Sequence, residues 1–377
     1  MKVDNLPQAS WIDTQSELQH LIEHLSTQTH IAVDTESNSL YAYHEQVCLI
    51  QFSTHKRDFL VDPLTLKSLT SLAPIFANPK IEKVFHAAEY DLICLRRDFG
   101  FSFSNIFDTM LVARILGYKA VGLGNLLTER FQIQVEKRNQ RANWGSRPLS
   151  RELLRYAQID THFLIKLRNQ LYKELKLKDL WALAKEDFAI ACKGNGLVEH
   201  KKCMNWERLD RQRILSPRER TILYELWKCR EQLGEQINHP VFKILSNERL
   251  MVLAQAAPKT GKALEHLGLT LRQIKRYGGE VLAAIRRGKV APIIRYSSSK
   301  RPPQIFLNRL ELLRTWRKKT AQQRGVESDI ILPRRYLNDI AEKNPGNEQE
   351  LAEVMEHSPW RLAHFGGEIL DTLSKTH

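Results

Sequence analysis

No stretch of this 377-residue sequence approaches the ~20 consecutive apolar residues that a membrane span needs. Its opening residues, "MKVDNLPQASWIDTQSEL", also lack the apolar core of a secretion signal. We therefore expect a cytoplasmic protein with no membrane partner. Cysteine is sparse, at positions 48, 94, 192, 203 and 229. No two of these stand at a metal-binding spacing, and an odd number cannot close a full disulfide set. Read as buried thiols in a reducing compartment, they need no function. The nucleotide loop G-x-x-x-x-G-K-[ST] is missing, which excludes an ATP-driven motor of that type. Glycine pairs do occur, at Gly278-Gly279 and Gly366-Gly367, but without the G-x-G-x-x-G spacing or a preceding strand. Two readings stay open for them, a close approach of helices or a turn needing φ > 0.

What is present is a chain long enough for two or three domains. Its 42% hydrophobic and 8% aromatic content is that of a globular protein. The net charge of +14 is unevenly placed: residues 1–200 hold 24 Lys/Arg against 23 Asp/Glu, and residues 201–377 hold 33 against 20. A solvated basic surface would explain that excess. Its concentration in one half argues more strongly for a polyanionic partner.

The first 200 residues mix strand and helix patterns. "HIAVDTE", "QVCLIQFST", "RDFLVDP" and "EKVFHA" read as strands, the first three spaced as an antiparallel meander. "SLTSLAPIFAN", "AEYDLICLRRDFG", "DTMLVARILGYK", "GLGNLLTERF" and the long "SRELLRYAQIDTHFLIKLRNQLYKELK" read as helices. Strands and helices around one sheet predict an α/β or α+β domain over residues 1–204. Amphipathic helices follow, and with them an internal repeat. Trp227 precedes Gly278 by 51 residues and Trp316 precedes Gly366 by 50, each glycine lying in an aromatic-Gly-Gly-Glu-aliphatic-Leu stretch. This divides the tail into helical domains at 205–294 and 305–377, joined by the Ser/Pro/basic linker 295–304. The repeated tryptophans fit core positions better than base-stacking platforms.

Within "IAVDTES", Asp34 and Glu36 are two apart on a strand and so share a face, where their charges repel unless a cation, a basic ligand or solvent intervenes. "VFHAAEYDLICL" brings Asp91 onto a helix just past a strand. "LLRYAQIDTHF" sets Tyr156 and Asp160 four apart on one helix face. Singly, each has an ordinary explanation: helix start, helix cap or surface neighbour. Asp108, just ahead of an apolar helix, reads as an N-cap, and His86 as a buried or sheet-end histidine. Jointly, four carboxylates are what a pair of hard divalent cations requires, Mg²⁺ or Mn²⁺, able to hold both oxygens of a phosphodiester displacement. Tyr156 is placed to orient a water molecule, since a phenol that ordinarily titrates near about 10 is a poor base.

These residues also carry a resemblance. "IAVDTES", "VFHAAEYDL" and "YAQID" resemble the three motifs of the DEDD exonuclease superfamily, and a tyrosine four before the last aspartate marks its tyrosine subtype. "KRNQRANWGSRPLSRELLRYAQID" is similar to the ribonuclease D family, and the tail repeats are similar to HRDC domains, found there and in RecQ-type helicases. The resemblance spans nearly the whole chain. It implies an RNase H-like α/β exonuclease domain followed by two all-α HRDC-like bundles. It also implies metal ligands at Asp34, Glu36, Asp91 and Asp160, with a water-orienting Tyr156.

Beside that site, Lys137, Arg138, Arg141, Arg147, Arg151 and Arg155 face a single acid, Glu152, in residues 137–155. They form either a grip on the phosphates of an incoming strand or a solvated basic loop. Trp144 is either a stacking platform for a terminal base or a core residue. The expected function is metal-dependent 3′→5′ exoribonuclease activity releasing 5′-mononucleotides from RNA with a free 3′ end, such as tRNA precursors. A 3′→5′ DNA exonuclease is the nearest alternative. A noncatalytic RNA-binding adaptor is the alternative from another class, and the intact five-residue set argues against it. No protein partner is identifiable.

Overall fold

The structure, a computed structural model, describes residues 6–135, 137–194, 206–295 and 302–376, without the side chains of Lys137, Arg138 and Thr376. The expected boundary at 204/205 and most of the linker 295–304 lie outside the described residues. The described residues divide into two compact units, one holding 6–37, 47–194 and 302–376 and the other 38–46 and 206–295.

The first unit begins with β1 (Ser10–Ile12) and α1 (Gln15–Ser26). Thr14 starts α1 through a capping box with Glu17, satisfying backbone donors that a helix start leaves unpaired. Leu18, Leu21 and Leu25 recur at helical spacing and are all but fully buried, each contributing about 1.5–3 kcal/mol. Then come β2 (His30–Ser37), β3 (Val47–Ser53), β4 (Asp58–Val61), the short α2 (Ala73–Ala77) and β5 (Glu82–Phe85). After these follow α3 (Glu89–Phe99), β6 (Ile106–Asp108), α4 (Thr109–Ile115) and α5 (Leu123–Phe131). Three further helices, α6 (Arg151–His162), α7 (Leu164–Leu177) and α8 (Trp181–Lys193), complete the α/β part. The six strands form one mixed sheet in the order β1-β4-β3-β2-β5-β6. β2, β3 and β4 are the antiparallel meander, while β5 joins β2 and β6 in parallel and β1 joins β4 in parallel.

The long helix expected over 150–176 breaks at Phe163, so that α6 and α7 cover different ground: α6 packs on β2, β3 and β4, and α7 on β2 and β5. The segment 68–78 forms a 3₁₀ turn before α2 rather than one helix. The three-residue strands β1 and β6 carry too short a pattern for periodicity to reveal them.

In the second unit, α9 (Pro217–Gln236), α10 (Val241–Ile244), α11 (Asn247–Ala256), α12 (Gly261–His266) and α13 (Leu271–Val290) bury one core. The same order of long, short, medium, short and long returns in the first unit as α14 (Gln304–Arg324), α15 (Ser328–Ile331), α16 (Arg334–Lys343), α17 (Glu348–Val354) and α18 (Pro359–Leu373). Both glycine pairs sit inside helices, α13 and α18, so the turn reading is excluded. The tight backbone approach in the first repeat falls instead at Gly288, where an added Cβ would lie 2.5 Å from the Cα of Ile222 on α9.

Helix α18 is fastened to α8. Arg361, 1% exposed, donates from Nη1 to Glu186 Oε1 at 2.5 Å and to Asp187 Oδ1 at 2.7 Å, and from Nη2 to Asp187 Oδ2 at 3.0 Å. Its guanidinium also bonds the Ile330 carbonyl at 2.9 and 3.1 Å. Glu186 in turn accepts the backbone N–H groups of Trp360 (2.9 Å) and Arg361 (3.3 Å), capping a helix whose own Ser358 makes no side-chain cap.

Candidate active site

Strand β2 is longer than its parallel neighbour: only His30–Ala32 pair with β5, so Asp34, Thr35 and Glu36 run past the end of β5. Ligands of α/β folds gather at such strand ends. Asp34 and Glu36 project to one face of the strand, under α6. Helix α6 starts at the Ser150 cap, which accepts from Leu153 N, and carries Tyr156 and Asp160 on the turn facing them. Carboxylate oxygens of Asp34, Glu36 and Asp160 all lie within 4.8 Å of one another. Asp91 enters from the first turn of α3 as the fourth carboxylate, outside that trio but close enough to feel its charges, and it accepts a hydrogen bond from the Thr35 hydroxyl.

Burial raises all four groups, and the neighbouring carboxylates raise Glu36, Asp91 and Asp160 further. Desolvation pushes Asp34 up to about 7. Desolvation, reinforced by the charges of Asp34, Asp160 and Asp91, pushes Glu36 up to about 10. Asp91 and Asp160 are also raised well above the usual carboxylate range by burial, and then by Asp34. Four oxygen-donor groups that repel one another when ionised fit a hard divalent cation, which would remove that repulsion. The Tyr156 hydroxyl donates to Asp160, and burial followed by the neighbouring carboxylates raises its pKa far above the ordinary value. It stays a hydroxyl at neutral pH.

A cavity of ≈ 410 Å³ opens over Asp34, Glu36, Tyr156 and Asp160, within the size range of small-molecule sites. Gly124 and Asn125 at the start of α5 also line it, with Gln140, residues the sequence reading did not single out. The signal available was "GLGN", two glycines around the first residue of an apolar helix. An added Cβ at Gly124 would touch only Val135, at 3.8 Å, so packing does not demand that glycine.

Two further residues support the site. Asp108 caps α4 as expected, through Met110 N and Leu111 N at 2.9 and 3.2 Å. Its carboxylate also accepts Ala87 N (3.0 Å) and Ala88 N (2.8 Å), holding the turn that delivers α3 and hence Asp91. His86 lines the cavity. The Thr109 hydroxyl donates to the Phe85 carbonyl at 3.1 Å, so it accepts from His86 Nδ1 at 2.9 Å and leaves Nε2 unprotonated. Desolvation lowers the His86 pKa to about 4, so the ring is neutral.

The basic loop departs from expectation at two positions. Trp144 is 1% exposed and its ring centroid lies 6.1 Å from that of Tyr156. A ring so enclosed offers no face to a base, and of the two readings the packed one stands. Arg147 spends its donors internally: Nε and Nη2 each meet Asp62 at 2.6 Å, Nη2 meets the Cys48 carbonyl at 2.7 Å, and Nη1 meets the Trp144 and Ser146 carbonyls. It buckles the loop to β3 and the end of β4 and has no donor left for phosphate. Arg141 and Arg151 are exposed, and the side chains of Lys137 and Arg138 lie outside the described part of the chain.

A family model described as 3′-5′ exonuclease matches residues 9–176, and the HRDC domain model matches twice, at 219–285 and 306–373. The chain thus carries a 3′-5′ exonuclease domain followed by two HRDC domains. It is 29% identical over 374 residues to the ribonuclease D of Jannaschia sp. (strain CCS1), covering 96% of this chain and 95% of that protein. It is 33% identical over 264 residues to the exosome complex exonuclease RRP6 of Saccharomyces cerevisiae, covering 66% of this chain. The chain spans only 36, 19 and 29% of the lengths of three eukaryotic relatives. The crystal structure of Escherichia coli RNase D shares the fold, with a TM-score of 0.69 over 98% of this chain and 99% of that one at 21% identity. Exonucleases of this kind use divalent metals, and an acidic cluster whose oxygen donors suit such ions is present here.

Proposed function

We propose that this chain is a 3′→5′ exoribonuclease that removes 5′-mononucleotides from RNA with a free 3′ end, tRNA precursors among its substrates, in the cytoplasm. One observation carries the reading: Asp34, Glu36 and Asp160 present oxygens within 4.8 Å of one another at the floor of a cavity that also holds Tyr156. Asp34, Glu36, Asp91 and Asp160 would hold two ions, Mg²⁺ or Mn²⁺. When bound, such ions supply a Lewis acid for the phosphoryl oxygens and a more acidic water.

The protein's own groups do the rest. Asp160 fixes the Tyr156 hydroxyl by accepting its proton in a hydrogen bond, which leaves the phenol oxygen's lone pairs to accept from a water. Tyr156 thereby orients the water without taking its proton. The packed ring of Trp144 and the Arg147–Asp62 buckle keep Tyr156 from swinging out of the cavity. The wall at Gly124 leaves room for a terminal nucleotide. Exposed Arg141 and Arg151, and the basic excess after residue 200, supply the phosphate attraction. In this scheme 1–204 is the nuclease domain, and 205–294 and 305–377 are RNA-side domains joined by 295–304.

The test offers matched 5′-labelled RNA and DNA to the purified protein, with divalent metal and with EDTA. A ladder of products shortened one nucleotide at a time, on RNA and only with metal, is expected. Equal or preferred shortening of DNA makes the protein a DNA exonuclease. Binding of RNA without shortening makes it an adaptor.

A further inference from the structure

Gln51 interrupts the apolar run of β3, "VCLIQFS", and is fully buried, yet among the described residues neither its Nε2 nor its Oε1 has a hydrogen-bond partner. Buried amides are nearly always paired, because leaving one unpaired forfeits its hydration. Nothing in the chemistry above uses it.

Its surroundings can be placed from three sides. Gln51 is directly opposite Asp34 in the antiparallel ladder, so the two side chains share a face with Cβ atoms about 4.5–5.5 Å apart. On that face Leu49 and Ser53 flank it along β3. Leu49 packs in one cluster with Tyr156 and Ala157, and the Ser53 hydroxyl meets the Thr161 hydroxyl at 2.7 Å. Gln51 therefore lies beneath the part of α6 between Tyr156 and Thr161, the part that carries Asp160. On its other side stands Leu60 of β4, which is apolar. The charged groups that bracket the amide are two of the clustered carboxylates.

We propose that Gln51 is a positioning residue for the metal centre, its unpaired amide N–H groups turning to hold the Asp34 and Asp160 carboxylates when these take a divalent cation. This rests on reading the carboxylate trio as a metal site. A carboxylate that gives one lone pair to a cation keeps others, and a donor on the side away from the cation fixes its orientation. Hydrogen bonds from an amide to an ionised carboxylate are charge-assisted and strong, most of all away from water. A glutamine here thus trades stability of the cation-free fold for cation affinity. That trade separates it from a residue that merely fills the core.

The experiment titrates the full-length protein with MnCl₂ by calorimetry and measures its Tm in EDTA, for wild type, Gln51→Met and Gln51→Leu. Both substitutions put an apolar side chain of similar size in place of the unpaired amide. Mn²⁺ affinity should fall about 10–100-fold, the usual cost of losing a group that orients a metal ligand, while the Tm in EDTA stays level or rises. Unchanged Mn²⁺ affinity in both variants overturns the inference. So does a Tm in EDTA below wild type in both, which makes Gln51 a packing residue. If wild type itself binds no Mn²⁺, the metal reading of the trio fails first and the inference goes with it.

Discussion

Replacing Arg361 by methionine tests how the second helical repeat is fastened to the nuclease sheet. The substitution keeps most of the side chain's apolar length and removes its charge. Glu186 and Asp187, 6% exposed and nearly buried respectively, then face no cation, and the Ile330 carbonyl loses both its donors. Removing one partner of a buried ion pair costs about 3–5 kcal/mol, because the remaining charge is stranded away from water. At about 2–4 °C per kcal/mol for a unit of this size, the Tm should drop by roughly 6–20 °C. Arg114 provides the contrast. It pairs with Glu327 and Asp329, whose side chains are 68% and 49% exposed, so Arg114→Ala should cost no more than about 1 kcal/mol. Replacing all three buried charges, as Glu186→Leu/Asp187→Leu/Arg361→Met, should recover much of the loss. About 1 kcal/mol stays missing, since Glu186 also caps α18. Calorimetry of the full-length variants reads all three values. A Tm shift for Arg361→Met as small as that for Arg114→Ala would refute the reasoning, since the bracket would then add nothing to the fold.

Tyr156→Phe keeps the ring against Trp144 and removes the hydroxyl; kcat should drop by ~10²-fold, the low end for a positioned proton-handling group, with Tm unchanged. An unaltered kcat would return Tyr156 to a packing role. Asp34→Asn and Asp160→Asn should each reduce cleavage to near background at saturating Mg²⁺ while RNA binding in gel shifts survives, because the two-ion clamp fails as a unit. The raised carboxylates must shed protons to take a cation, so Mg²⁺ affinity should climb as pH rises through about 7, the value for Asp34. The linked stability runs the other way in EDTA. A carboxyl whose folded pKa exceeds its unfolded value of about 3.9 stabilises the fold below that pH and loses the contribution as pH rises through its folded pKa. The Tm in EDTA should therefore fall between about pH 4 and pH 8, and less so in Asp34→Asn. A flat Tm would contradict the burial of the cluster.

The parts of this site legible in the sequence are those set by local spacing. Asp34 and Glu36 share a strand face, and Tyr156 and Asp160 share a helix face, whatever else the chain does. The meander was legible because β2, β3 and β4 are separated by short gaps. Asp91 needed more, since its place depends on the turn that Asp108 holds from 20 residues downstream. Trp144 and Arg147 lie in a loop with no periodicity, so their packing could not be read; it follows from the pairing of Arg147 with Asp62, 85 residues away. Arg361 and Glu186 are 175 residues apart, and nothing in either segment names the other. The repeat itself was visible as a pattern of Trp and Gly-Gly. Its helical glycines were not recognisable as such, because the same dipeptide serves turns.

The most direct test of the central claim is the chemical form of the first product. A uniformly ¹⁴C-labelled RNA with a 3′-hydroxyl is given to the wild-type protein with Mg²⁺, and the earliest released species is separated by chromatography. The account predicts a nucleoside 5′-monophosphate, with none formed by Asp160→Asn. Oligonucleotides or nucleoside 3′-phosphates as the first product would contradict it.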